Sequence, residues 1–375
     1  MPLKIPMIQN SHYLSSIAFL CVFIGMVLAF PTTTAAEEAT ATSDQAVILM
    51  YHRVGEKRLP ATNITLAQFR AHLQELRQGP YKVLPLDEIV AALKNGRTLP
   101  NHSIAITFDD AFLSIYETAW PLLKAAKFPF TLFVSTEPLD EKTSGYMTWA
   151  QLREMAADPL VTIGHHGHSH NSFLSLTKDQ RIGDILTATA RFQKEIDTQP
   201  KLFAYPFGEY DSASPAILRQ LSFNAAFGQF SSVASPADDI YALPRFTFNE
   251  RYGDIDRFRL ITNALALPAY DILPKNPHLS HTHHNPPAFG FTLKPIPASP
   301  TKALAQLSCY PSHMKEAATL TQLGEDRIEI RFTQPFPEGR NRINCTMPGS
   351  AGRWYWFGRP FFNTKSPAAS NAAGP

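Results

Sequence analysis

Between Asp44 and Leu265 the chain repeats one pattern: a short apolar run, a turn, then a stretch with apolar residues at helical spacing. The apolar runs are AVILMYH (Ala46 to His52), YKVLPL, SIAITF, FTLFVS (Phe130 to Ser135), VTIGHH, KLFAYPFG and NAAFGQF. Between them lie TLAQFRAHLQEL behind a Thr cap, LDEIVAALKNG ended by Gly96, YETAWPLLKAAK, MTWAQLREMAA, a long stretch from Thr177 to about Thr198, and SPAILRQLS. DIDRFRLITNAL closes the series. Threonine caps and a terminal glycine are helix boundary signals. Regular strand–helix alternation predicts parallel strands with covering helices, either a closed barrel or an open doubly wound sheet. In a barrel, chemistry gathers at the C-terminal ends of the strands.

After Pro268 the alternation stops. Residues 269–287 read as a Pro- and His-rich connector, and many of the 31 prolines fall after Pro268. Residues 288–364 carry short strand-like runs separated by turn residues, which predict a small antiparallel sandwich-like domain. Trp354 and Trp356, on one face of RWYWFG, are expected in its core. Residues 365–375 read as a disordered tail. At the other end, residues 1–36 read as an export signal: an apolar run from Tyr13 to Phe30, then small residues suited to cleavage after Ala36. An uncleaved anchor is the alternative. Beyond that segment only Cys309 and Cys345 remain, and in an oxidising compartment they predict one disulfide. The expected location is therefore periplasmic or extracellular. Net charge is +2, which gives no electrostatic case for nucleic acid as a partner.

Polar residues recur where the predicted barrel strands end. His52, the pair Asp109 and Asp110, the pair His165 and His166, and Tyr205 to Gly208 all occupy such positions. TIGHHGHSHNSF adds His168 and His170. Neutral imidazoles plus a carboxylate are the ligand set of catalytic zinc. His166 and His170 are four apart, so one helical turn would bring them to a common point, with Asp110 supplying an oxygen. A solvated polar loop is the competing reading of the same histidines.

TFDD, then GHHGHSH, then YPFGEYD, in that order, resemble the motifs of the NodB-type polysaccharide deacetylases, carbohydrate esterase family 4. The resemblance covers roughly Ala46 to Leu265. It implies a distorted (β/α)7 barrel and metal-dependent removal of N-acetyl groups from an amino-sugar polymer of the cell envelope or extracellular matrix. Mapped onto this chain, it implies Asp109 as general base and Asp110, His166 and His170 as ligands of a divalent metal, zinc or a similar ion. It also implies the backbone N–H of Phe207 as oxyanion donor. His165 and His168 fall outside that ligand set, with His165 an alternative ligand through a one-residue slip. Phe207 and Tyr210 are candidate sugar contacts.

Two departures stand out. Ala204 occupies the place of the family's arginine, and Arg245 is the candidate substitute that orients the base. The late Leu-x-His motif is missing from ITNALALPAYDI. His52 can replace it, because the first and last strands of a closed barrel are neighbours. His52 is therefore expected to protonate the leaving amine, as in the circularly permuted subgroup acting on poly-N-acetylglucosamine. The expected partner is an acetylated glycan, with no stable membrane insertion after signal cleavage. A non-catalytic glycan-binding module on a degenerate barrel is the alternative function. A metal-binding protein drawing on HLSHTHH (His278 to His284) is a further one.

Overall fold

The computed structural model describes residues 42–279, 285–295 and 304–364. The export signal, the tail and most of HLSHTHH lie outside the described residues. Among the described residues no helix is long and apolar enough to cross a membrane.

Seven parallel strands form the main path of an eight-stranded sheet: β1 (Val47–Tyr51), β2 (Ser103–Asp109), β3 (Phe130–Val134), β4 (Val161–His165), β5 (Leu202–Ala204), β6 (Ala225–Phe227) and β7 (Phe246–Thr247), with the two residues Lys82–Val83 pairing with the start of β2 off that path. They pair in the order β6-β5-β4-β3-β2-β1-β7. Every residue of β1 and β2 is buried, as expected for strands covered on both faces. The curled sheet closes at a seam. Phe227 of β6 bridges Leu243, and Phe246 of β7 pairs with Leu49 of β1. The expected distorted (β/α)7 barrel is therefore present. Its seam delivers the segment around Arg245 between the first and last strands.

The helices include α1 (Leu66–Gln78), α2 (Leu86–Asn95), α3 (Trp120–Ala126), α4 (Trp149–Ala156), α5 (Lys178–Ile196), α6 (Ser214–Gln220) and α7 (Ile255–Thr262). Thr65, Thr148 and Thr177 each form a capping box with a glutamine three residues on, at Gln68, Gln151 and Gln180. Each box satisfies two backbone groups that a helix start leaves unpaired.

Two four-stranded sheets follow. One has the order β8 (Leu265–Ala266), β15 (Trp354–Asn363), β14 (Gly339–Pro348) and β11 (Ser308–Pro311). The other runs β9 (Ala269–Leu273), β10 (Phe289–Leu293), β13 (Arg327–Arg331) and β12 (Thr319–Leu323). The predicted all-β part is thus present, and Cys309 and Cys345 form a disulfide between paired positions of β11 and β14. Two expectations need correction. The connector expected from residue 269 opens with β9, because Ala269 and Tyr270 pair with Leu293 and Thr292 despite the nearby prolines. Trp354 and Trp356 do not fill the sandwich core. Trp354 is exposed, and Trp356 lies edge-on to Phe246 and packs against the barrel. The alternation of β15 turns that face outward from its own sheet pair. Its neighbour Gly358 allows this approach, since a Cβ there would lie 2.0 Å from the carbonyl oxygen of Ser231 in the barrel.

Candidate active site

β2 ends at Asp109, and the chain then turns through two left-handed residues, Asp110 (φ 77°) and Ala111 (φ 57°). Aspartate tolerates this conformation better than most side chains. The reversal aims two adjacent carboxylates in different directions, which answers how both can serve one site.

Asp109 is fully buried and held by Arg245. Nη1 donates to Oδ1 at 2.7 Å and Nη2 to Oδ2 at 2.8 Å, the two-pronged geometry that guanidinium and carboxylate favour. Arg245 is itself fully buried, and its Nε donates to the carbonyl of Gly228 at 3.0 Å. Thr107 Oγ1 accepts from Nη1 at 3.3 Å. Gln229, unnoticed in the sequence, approaches Asp109 Oδ2 at 3.5 Å. Burial raises the carboxyl of Asp109, but Arg245, His166 and His52 outweigh it and hold Asp109 below its ordinary value. Asp109 is therefore ionised near neutral pH.

Asp110 faces the histidines. Its Oδ1 lies 3.2 Å from Nε2 of His166 and 3.0 Å from Nε2 of His170. One ligand atom from each of the three residues falls within 4.8 Å of the others. Asp110 Oδ1 and His166 Nε2 are both buried without a hydrogen-bond partner of acceptable geometry. Unpartnered buried polar atoms are rare, and here the two converge with the partly buried His170 as a carboxylate and two imidazoles, the donor set of a divalent ion such as zinc. His166 Nδ1 lies 2.7 Å from the carbonyl of Ala204. That bond places the proton on Nδ1 and leaves Nε2 as the donor atom. Burial lowers His166, but Asp110 and Asp109 together raise it above its ordinary value, so the pocket favours positive charge. Burial likewise opposes ionisation of Asp110, yet His166 and His170 hold it well below the usual carboxylate range.

The two histidines do not meet through a helical turn, as their spacing suggested. β4 ends at His165, and the following loop uses left-handed residues at Gly167 (φ 79°) and His170 (φ 54°). Asp184 of α5 accepts from the backbone N–H of His168 and of Ser169, at 2.8 and 2.9 Å. A Cβ at position 167 would lie 2.6 Å from that carboxylate, so glycine is needed there. His165 is not a ligand. Its Nε2 meets the carbonyl of Ile185, its Nδ1 accepts from Gly167, and burial lowers it to about 4. His168 turns to Thr136.

His52 follows β1 and is 9% exposed. Burial pushes it below its ordinary value, while Asp110 and Asp109 pull it upward. Both carboxylates thus act on this ring, and it makes no side-chain hydrogen bond among the described residues. Phe207 occupies a tight turn with φ 58°, its ring 4.6 Å from that of His170 and 37% exposed. The turn is closed by Gly208 N–H to Tyr205 and Glu209 N–H to Pro206, bonds that do not use the Phe207 amide. Arg340 of β14 reaches it: Nη1 lies 3.4 Å from the Phe207 carbonyl, with the guanidinium 5.6 Å from the ring. Tyr210 is not presented to this site. Its ring is 3% exposed, stacked on Tyr205 and edge-on to Phe362. Tyr205 and Phe362 hold it inward, a pull its position in the motif did not reveal.

These features can be set beside known proteins. The sequence profile described as polysaccharide deacetylase matches residues 96–226. A poly-beta-1,6-N-acetyl-D-glucosamine N-deacetylase of Staphylococcus aureus is 23% identical over 269 residues, spanning 62% of this chain and 92% of that one. The structure of IcaB from Ammonifex degensii superposes with a TM-score of 0.53 at 27% identity, over 59% of this chain and 96% of that one. A deacetylase of Streptococcus pyogenes, PplD, shares the fold with a TM-score of 0.54 at 21% identity, over 58% and 98%.

Proposed function

We propose that the chain, whose residues 96–226 match the polysaccharide deacetylase profile, hydrolyses N-acetyl groups on an amino-sugar glycan of the cell envelope or extracellular matrix. One observation carries this reading: Asp110, His166 and His170 converge, the first two with buried unpartnered ligand atoms, beside an ionised, clamped Asp109. A divalent ion, zinc in our reading, would be held by those three residues and would supply Lewis-acid activation of the acetamide carbonyl and of water.

The remaining steps fall to the chain's own groups. Asp109 takes a proton from the attacking water as the new C–O bond forms. Arg245 keeps its carboxylate ionised and fixed in direction. The backbone N–H of Phe207 donates to the developing oxyanion. His52 gives a proton to the amine nitrogen as the C–N bond breaks, releasing acetate and a free amino sugar. An imidazole displaced below its ordinary range is a stronger acid once protonated, which suits that task. The exposed Phe207 ring offers a sugar contact. Export is supported by the Cys309–Cys345 disulfide together with the apolar run at the N-terminus.

The test is acetate release from a panel of acetylated glycans, including β-1,6-linked poly-N-acetylglucosamine, with and without chelator. Asp109→Asn should lower the rate by about 10²–10⁴-fold. A protein that binds these glycans but releases no acetate with any added metal would instead be a non-catalytic binding module.

A further inference from the structure

Residues 228–232 follow β6 and hold Arg245 at two points. The carbonyl of Gly228 accepts from Arg245 Nε at 3.0 Å, and the carbonyl of Phe230 accepts from the Arg245 backbone N–H at 3.1 Å. Between them, Gln229 reaches Asp109. These bonds set where the guanidinium stands, and with it the direction of the Asp109 carboxylate.

The sandwich touches the same segment through β15. Ser232 Oγ donates to the carbonyl of Trp356 at 3.4 Å. Gly358 lies so close to Ser231 that a Cβ there would meet the Ser231 carbonyl oxygen at 2.0 Å. That neighbour is backbone, which cannot swing aside as the end of a flexible side chain can. The Trp356 ring stands edge-on to Phe246, with ring centroids 5.4 Å apart. Phe246 is fully buried and follows Arg245 directly in the chain. β15 is itself tied to the end of the barrel. Arg353 Nε donates to the carbonyl of Asn263 at 2.8 Å, and Tyr355 and Trp356 pair with Leu265 and Ala266.

We propose that Trp356 and Gly358 are positioning residues, through which the sandwich braces residues 228–232 and Phe246 so that Arg245 keeps Asp109 aligned for proton transfer. The link to the reaction rests on the deacetylase reading, while the brace rests on the contacts alone. Arg245, Trp356 and Gly358 all lie outside the matched residues 96–226. Alignment of a base is costly to lose, since a displacement of about 1 Å can lower a rate on the order of 10²-fold. Packing that added only stability would leave kcat of the folded chain unchanged.

The experiment compares the full chain with Trp356→Ala, Trp356→Phe and Gly358→Ala, each checked for an intact fold by urea denaturation. Acetate release from β-1,6-linked poly-N-acetylglucosamine gives kcat and KM. Trp356→Ala and Gly358→Ala should each lower kcat by about tenfold or more, with KM changed less than about threefold. Trp356→Phe keeps a ring against Phe246 and should restore most of kcat. In an Arg245→Lys background, Trp356→Ala should cost less than about twofold more, because groups acting through one geometry are not additive. Hydrogen exchange gives a readout independent of catalysis. The Arg245 amide should exchange about tenfold faster in Trp356→Ala, while that of His166, bonded to the Val134 carbonyl, keeps its rate. The brace is overturned by an unchanged Arg245 exchange rate, by full kcat in folded Trp356→Ala, or by losses that multiply in the Arg245→Lys background. Should Arg245→Lys not fold, exchange and the Trp356→Phe rescue decide. An unsubstituted chain that releases no acetate would count against the deacetylase reading, and the exchange rates would still judge the brace.

Discussion

Arg245 at the barrel mouth and Arg340 at the barrel–sandwich rim each reach toward the active site, under opposite conditions. Arg245 and Asp109 are both wholly buried and doubly bonded at 2.7 and 2.8 Å. The Arg340 side chain is 54% exposed, with a 3.4 Å contact to Phe207 and a 3.8 Å approach to Glu209. Water screens the second set and not the first. The difference teaches where this fold commits its charge. It is locked between Asp109 and Arg245, and left adjustable at the rim beside Phe207.

Removing Arg245 should break that comparison most severely. Arg245→Met leaves Asp109 buried without its counter-charge, which costs about 3–5 kcal/mol. Urea denaturation measures it, and acetate release should fall with it. A loss as small as that of a surface pair would mean that the buried clamp is not what fixes Asp109.

His52→Gln tests the mouth without touching the clamp. The expected loss in kcat is about 10²–10⁴-fold with little change in melting temperature, since His52 makes no side-chain hydrogen bond among the described residues. A variant with full kcat would remove His52 from the proton path.

His72 probes burial away from the site. Its ring lies 3.0 Å from the Tyr51 hydroxyl and 2.9 Å from the carbonyl of Gly253, and burial lowers it to about 4 from an ordinary 6.5. The unfolded chain therefore takes up this proton near pH 6.5, and the folded chain only near pH 4. His72 contributes stability that is present above pH 6.5 and lost as pH falls toward 4, by up to about 3 kcal/mol. Urea midpoints across that range should fall less steeply for His72→Phe than for the wild type. Equal slopes would show that His72 is not held neutral.

The smallest effect is expected at the rim. Arg340→Ala should change stability by less than about 1 kcal/mol and alter kcat/KM only a few-fold. A loss comparable to that of Arg245→Met would erase the contrast between the two arginines.

What could be read in the sequence followed from locality. Asp109 and Asp110 are adjacent, His166 and His170 share one loop, and the Thr-x-x-Gln boxes announce their helices within four residues. Arg245 was legible as a candidate because a motif position, Ala204, lacked its arginine. Its actual bond spans 136 positions, and only closure of the sheet at Phe246 and Leu49 creates it. The left-handed turns at Asp110, His170 and Phe207 have no comparable signature, since none of these is glycine. Strained backbone of this kind is sustained by surrounding structure rather than by local preference. Tyr210 and Trp356 went astray for a related reason. An aromatic side chain near a motif reads as a ligand contact or as local core, but neighbours far along the chain decide which surface it covers.

The most direct test is the divalent metal content of the purified chain, measured together with acetate release before and after chelation. We predict about one ion per chain, loss of that ion in Asp110→Ala, and a rate that disappears with chelator and returns with added zinc or a similar ion. Acetate release undiminished in a chain stripped of metal would contradict the account.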